Sequence, residues 1–153
     1  MDEKKETSKI ELLSHLLLFA YQKTLRNLCV LPYTYLTHLV LESMKKISEE
    51  AKISFIKGKN LEEAFENYIS MLKKSGLVEN AQVEKLSLDR YRLHIDGCIY
   101  AKHIHPILNP KDLTCGFAFM AMMIYEKFSG KKVKLADSEF TEKGTTTIIE
   151  PAE

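Results

Sequence analysis

The hydrophobic residues of this 153-residue chain change their spacing between its two halves. In the first half they recur every three or four residues, which predicts helices at about Ser8–Asn27, at Tyr33–Glu50 and between Asn60 and Gly76. The third of these has clear ends: Asn60 is a suitable N-cap, and two glutamates follow it in the first turn. Gly76 can supply the left-handed residue that closes the helix. The first half is therefore predicted to be helical.

The second half alternates apolar and polar residues around Asp89-Arg90, which predicts a β-hairpin turning at those two residues. The strongly apolar stretch Leu113–Phe128 predicts a buried helix, and two further strands are expected at Lys132–Ala136 and Thr145–Glu150. Between hairpin and helix, the proline-rich segment Pro106–Pro110 predicts a loop. The order of helices, hairpin, helix and hairpin indicates an α+β fold, with N-terminal helices, an antiparallel sheet of two hairpins, and the apolar helix packed on one face.

Composition narrows the class of protein. The length fits a single domain over residues 1–153, with the charged residues 1–7 expected to form a disordered tail. Twenty-two basic residues against 21 acidic ones give a net charge of +1, which does not favour a nucleic-acid-binding protein. The N-terminus lacks the apolar run of a signal peptide, and no apolar stretch reaches the ~20 residues of a membrane span. We therefore expect a cytoplasmic protein without a membrane span, whose three cysteines form no disulfide framework.

Two cysteines and two histidines lie close together in the sequence: Cys98, His103, His105 and Cys115. Thiolate sulfur and imidazole nitrogen are the usual ligands of tetrahedral zinc, so these four residues predict a zinc site. If residues 103–105 are extended, both imidazoles point to the same side, and a helix N-terminus at Cys115 lowers the pKa of its thiol. The alternative is that the cysteines, like Cys29, are small buried core residues and the histidines are surface or hydrogen-bonded residues.

Three short sequences in this half resemble a known family: Cys-Ile-Tyr-Ala at 98–101, Cys-Gly-Phe at 115–117 and Gly-Lys-Lys-Val at 130–133. In this order and context they are similar to the vinyl-4-reductase-like (hydrocarbon-binding) domain over roughly residues 83–150. Relatives of that family include heme nitric-oxide-binding domains and the small subunits of the TRAPP vesicle-tethering complex. The resemblance implies an α/β domain, often dimeric, that encloses a small apolar molecule, and it implies no reductase activity. The family often has cysteines in its last hairpin, where this chain has Phe140 and Ile148.

The expected function is therefore binding of a small apolar molecule, as a sensor or carrier, by a homodimer with a zinc site. The residues expected to line the ligand pocket are Phe117, Met120, Ala121, Ile124 and Tyr100. No catalytic residue is identified. Two alternatives stay open: a zinc-dependent hydrolase, with Asp96 or Glu139 as the general base, and an interaction module that binds no ligand.

Overall fold

The computed structural model describes residues 2–28, 33–109 and 113–152, with side chains in the first two helices described at residue 13, at 15–28 and from 37 onward. Cys29 and Pro110 lie outside the described residues. In chain order the elements are α1 Asp2–Leu28, α2 Tyr33–Glu50, α3 Leu61–Ser75, β1 Asn80–Ser87, β2 Arg90–Asp96, α4 Ala101–Ile104, a 3-10 turn His105–Ile107, α5 Gly116–Ser129, β3 Val133–Phe140 and β4 Thr145–Pro151.

The four strands form one antiparallel sheet in the order β1-β2-β4-β3. Each hairpin pairs strands that are neighbours in sequence, and the two hairpins join where β2 pairs with β4, with Leu93 opposite Thr147. Helices α3 and α5 cover the face that carries Tyr91, whose ring centroid lies 5.3 Å from that of Phe65 in α3 and 6.0 Å from that of Tyr125 in α5. The predicted α+β class, with two hairpins and an apolar helix on one face, is confirmed.

Local signals set the ends of α3 as expected. The Asn60 side chain accepts a hydrogen bond from the backbone N–H of Glu63 at 2.9 Å, and the Glu63 carboxylate accepts one from the N–H of Lys59 at 2.8 Å. Gly76 ends the helix with a φ of 73°. The first bond satisfies an N–H group that a helix N-terminus otherwise leaves without a partner, and the second holds the residue before the N-cap.

The structure differs from the sequence-based expectations at several places, among them β3, which continues to Phe140 rather than ending at Ala136. Helix α1 begins at Asp2 rather than after Ser8, and Arg90 belongs to β2 rather than to the hairpin turn. The segment from Ala101 to Ile107, expected to be extended and then a loop, forms α4 and the 3-10 turn. Gly97, with a φ of 62°, turns the chain out of β2, and Pro106 is tolerated in the first turn because its missing N–H would have no helical partner there.

Helix α5 is apolar on nearly all sides, as expected for a helix that is covered by other elements. Its buried residues are Phe117, Ala118, Phe119, Ala121, Met122, Met123, Ile124, Tyr125 and Glu126. The helix therefore lies at the centre of the core and contacts α3, α2 and β3. No helix in the described ranges has the combination of length and apolar character needed to cross a membrane.

Candidate functional site

A cavity of about 530 Å³ lies between the C-terminal end of α2, the segment that follows it, and the C-terminal half of α5. Its volume falls within the range of small-molecule binding sites. The residues that line it are Lys45, Ser48, Glu49, Lys52, Ile53, Ser54, Phe55, Ile56, Met123, Glu126, Lys127, Gly130, Lys131 and Lys132. The cavity thus combines one cluster of apolar side chains with an unusual number of lysines.

The apolar part of the cavity is held in place by the core. Met123 is buried within α5, and Phe55 and Ile56 are half-buried. The Phe55 ring packs at 6.2 Å from the ring of Tyr68 in α3. The Tyr68 hydroxyl in turn donates a 2.7 Å hydrogen bond to the Phe117 carbonyl at the start of α5. Phe55 therefore packs on α3, which is hydrogen-bonded to the start of α5.

Lys45 connects the cavity to a network of charges. Its ammonium donates to the carboxylates of Glu126 at 2.8 Å and Glu42 at 2.9 Å, and Lys132 donates to Glu42 at 2.5 Å. These two lysine hydrogen bonds lower the pKa of Glu42 to about 2. Burial alone lowers the pKa of Lys45, but its bonds to Glu126 and Glu42 outweigh burial and leave that pKa raised. Lys45 is therefore charged at neutral pH, and its ammonium forms an ion pair with the Glu126 carboxylate.

Lys52 stands at the mouth of the cavity in a strained backbone conformation. Its φ is 53°, in the left-handed region where glycine is usual at a helix C-terminus. The N–H of Lys52 donates to the carbonyl of Glu49 at 3.1 Å, and that of Ile53 donates to the carbonyl of Ser48 at 2.9 Å, which is the Schellman pattern. A non-glycine residue in this conformation costs about 1–2 kcal/mol. The chain therefore has a lysine at a position where glycine would cost less conformational free energy.

One group of side chains in the described part of the chain can hold a metal ion: His38, Glu42 and Glu126, whose ligand atoms all lie within 4.8 Å of one another. His38 and Glu42 are one turn apart on α2, a spacing visible in the sequence, whereas only the tertiary structure adds Glu126 from α5. Both carboxylates already accept hydrogen bonds from Lys45, so a metal ion would compete with that ammonium.

The two cysteines expected to bind zinc are buried and close enough for the charge of one to affect the other, with Cys98 8% and Cys115 3% exposed. Our expectation of a lowered Cys115 pKa is wrong. Backbone N–H groups of Phe117 and Ala118 do lower it, as a helix N-terminus should, but burial dominates and raises the pKa to about 11. Burial also raises the pKa of Cys98. At neutral pH both residues are therefore thiols inside the core.

The two histidines of the predicted zinc site point to different surroundings because their segment is helical. His105 is buried, its Nδ1 lies 2.7 Å from the Thr141 carbonyl oxygen, and its ring stacks on Phe140 at 4.8 Å, whereas His103 is exposed. No three of the four predicted ligands have their ligand atoms within 4.8 Å of one another. Zinc at these four residues stays a prediction.

The five predicted pocket residues lie in the core, and none of them lines the cavity. Ala121 and Ile124 are fully buried, the Tyr100 ring stacks on His15 at 4.2 Å, and the Phe117 ring centroid lies 6.5 Å from that of the same histidine. Met120 is half-buried. The cavity uses a different part of the same helix, since Met123 contributes to its floor.

Comparison with known proteins found no match among family models, curated proteins or solved structures. The resemblance to the vinyl-4-reductase-like domain therefore stays a prediction from its short sequences. The site combines three features: the apolar side chains of Phe55, Ile56 and Met123, several lysines, and a buried carboxylate, Glu126, that is paired with Lys45.

Proposed function

We propose that this chain is a domain that binds a small, mainly apolar molecule, as a cytoplasmic sensor or carrier, and that the ligand occupies the cavity between α2 and α5. The observation that carries the proposal is the apolar floor of Phe55, Ile56 and Met123 in a cavity of about 530 Å³. Removing apolar ligand surface from water would supply most of the binding free energy. No group with a catalytic arrangement is needed for this role.

The test fills the cavity with a bulky side chain. Ser54 lines the cavity, and Ser87 is exposed on β1 outside it, so Ser54→Trp and Ser87→Trp form a matched pair. We expect the neutral fluorescent probe N-phenyl-1-naphthylamine to bind the wild type and Ser87→Trp with equal affinity and Ser54→Trp at least about tenfold more weakly. Equal binding to all three proteins, or no binding to the wild type, would refute the proposal.

We also propose that the chain forms a homodimer through α1. Five large apolar side chains on this helix are 41–76% exposed: Leu13, Leu17, Tyr21, Leu25 and Leu28. At about 100° per residue they fall within an arc of roughly 120°, so they form one apolar stripe. Such a stripe is complementary to itself across a two-fold axis, which favours a second copy of the chain as its partner. The same stripe supports the alternative of a pure interaction module.

The dimer is tested by molar mass in solution. Leu17→Glu places a charge in the stripe, whereas Lys23→Glu changes an exposed residue of α1 outside it. We expect light scattering to give twice the chain mass of 17.6 kDa for the wild type and Lys23→Glu, and the chain mass for Leu17→Glu. A monomeric wild type, or a dimer that survives Leu17→Glu, would refute this interface.

Zinc is proposed as a bound metal with two possible ligand sets. One is the sequence-predicted set with Cys98 and Cys115, and the other is His38, Glu42 and Glu126, which is favoured by the proximity of its ligand atoms. Elemental analysis of untagged protein separates them. We expect one zinc per chain that is lost in His38→Ala and kept in Cys98→Ser/Cys115→Ser. Loss only in the cysteine variant would place zinc at the first set, and a metal-free wild type would refute both.

A further inference from the structure

Charged residues form a larger share of the lining of the cavity between α2 and α5 than of the chain as a whole. Five lysines and two glutamates line this one space, in a protein whose net charge is only +1. Met123 is buried, whereas Lys52 and Lys127 are exposed; the exceptions to this separation of apolar from charged side chains are the exposed Ile53 and the buried, ion-paired Glu126. A site with this polarity fits a molecule that has an apolar end and a charged end.

Three of the five lysines are engaged in ion pairs. Lys45 bonds to Glu126, Lys132 bonds to Glu42, and Lys131 bonds to Asp89 at 2.6 Å. Within the described ranges, Lys52 and Lys127 have no ion-pair partner and make no side-chain hydrogen bond. They come from different elements, one following α2 and one in the last turn of α5, so only the fold brings both residues to the same cavity.

The backbone at Lys52 supports a role for its side chain. The left-handed φ of 53° is a position where glycine would be the least strained residue, yet the chain has a lysine there. The conformation follows the end of α2 and places that residue at the cavity. A residue in a strained conformation, with an unpaired charge at the opening of a cavity, favours a ligand of opposite charge there.

Two features oppose an anion in this cavity. Glu49 is a lining carboxylate without an ion-pair partner in the described part of the chain, and helices α2 and α5 both end here, where the helix dipole favours cations. The second effect is reduced because backbone N–H groups cap the last carbonyls: Ile53 and Lys52 cap α2, and Gly130 donates to the Glu126 carbonyl at 3.1 Å. Two unpaired lysines against one unpaired glutamate leave an excess of positive charge.

We infer that the ligand of this cavity is a single-chain amphiphile with an anionic head group, a carboxylate or a phosphate monoester. Its hydrocarbon end packs on Phe55, Ile56 and Met123, and its head group lies between Lys52 and Lys127. This inference rests on the proposed binding function and names its ligand class. The paired lysines are already neutralised, so they add less to recognition of the head group than the two unpaired ones.

The first test compares decanoate, decyl phosphate and decanol, each below its aggregation limit, by isothermal titration calorimetry on the full chain. Decanol carries the same hydrocarbon end without a charge. We expect both anions to bind about five- to tenfold more tightly than decanol, since two exposed ion pairs contribute modestly. A preference for decyl phosphate over decanoate, or the reverse, identifies the head group within the proposed class. The advantage of the anions should fall at high ionic strength.

The variants test whether the two lysines cause that preference. In Lys52→Gln/Lys127→Gln the affinities for decanoate and decanol should become equal, while Glu49→Gln should tighten decanoate binding and leave decanol binding unchanged. Lys57→Gln/Lys59→Gln removes two lysines that do not line the cavity and should behave like the wild type. Circular dichroism of each variant confirms that it is folded.

The outcomes separate this inference from the proposed function. If decanol and the anions bind equally and the Lys52/Lys127 variant changes nothing, the apolar site stands and the anionic head group is refuted. If inorganic phosphate alone binds as tightly as decyl phosphate, the hydrocarbon end contributes nothing and the inference is refuted. If none of the three decyl compounds binds, both the inference and the proposed function fail. If the hydrocarbon chain of the ligand is buried in the cavity, lengthening octanoate to decanoate should tighten binding about fourfold per methylene.

Discussion

Replacing Lys52 by glycine should stabilise the protein, although it removes a charged side chain and adds flexibility to the unfolded chain. With a φ of 53°, Lys52 is in a conformation that costs a non-glycine residue about 1–2 kcal/mol. Glycine avoids that cost, but the greater freedom of the unfolded chain offsets about 0.4–1 kcal/mol of the gain. We therefore expect Lys52→Gly to raise the free energy of unfolding by about 0.5–1 kcal/mol, or the Tm by about 1–4 °C.

Lys52→Ala is the matched control, because alanine also lacks the ammonium but has a Cβ and keeps the strain. Urea denaturation of the three proteins measures the difference. The Schellman hydrogen bonds at Lys52 and Ile53 predict that the glycine variant is more stable than the alanine variant. If residue 52 had an ordinary negative φ, the order would reverse, since alanine restricts the unfolded chain. Alanine equal to or more stable than glycine would thus refute the strained conformation.

Three further predictions concern the core. Tyr68→Phe removes the buried hydroxyl that donates to the Phe117 carbonyl but keeps the ring, so it should lower the free energy of unfolding by about 1 kcal/mol in urea; no change would contradict that hydrogen bond. Burial, aided by the nearby positive charge of His105, lowers the pKa of His15 from 6.5 to about 4. As the pH decreases, the His15 imidazole therefore takes up a proton in the unfolded state before it does so in the folded state. The free energy of unfolding should thus fall as the pH decreases from about 6.5 to about 4. His15→Phe should lose that part of the pH dependence, and an unchanged slope would refute it. Cys115, with a pKa of about 11, should react with iodoacetamide at neutral pH only after unfolding, as peptide mapping can show; rapid labelling of the folded protein would contradict its burial.

The sequence predicted those parts of the fold that depend on neighbouring residues. Asn60 and Gly76 set the ends of α3 through hydrogen bonds within a few residues, and α2 runs over the predicted range. The segment after Gly97 was harder to predict. Two histidines separated by one residue, His103 and His105, fit an extended segment and a short helical turn equally well. There the tertiary contact of His105 with the Thr141 carbonyl favours burial of one histidine and exposure of the other.

The candidate site was less predictable because its parts are far apart in the chain. Lys52 and Lys127 each look like an ordinary charge near the end of a helix, and only the packing of α2 beside α5 places them around one cavity. The pKa of Cys115 shows a second limit: the helix N-terminus is visible in the sequence, but complete burial, which outweighs it, is not. The left-handed backbone at Lys52 carries no sequence signal, because glycine is the residue expected there.

The order of the strands has a consequence for how fast the chain folds. Each hairpin pairs neighbouring segments, whereas β2 and β4 pair although α4, α5 and β3 separate them in the sequence. Closing that long loop costs chain entropy before the central contacts form, so we expect this meeting to dominate the kinetic barrier. Gly144 lies just before β4, where a Cβ would overlap the Ile95 carbonyl oxygen. A side chain at position 144 would therefore obstruct the same contact that limits the folding rate.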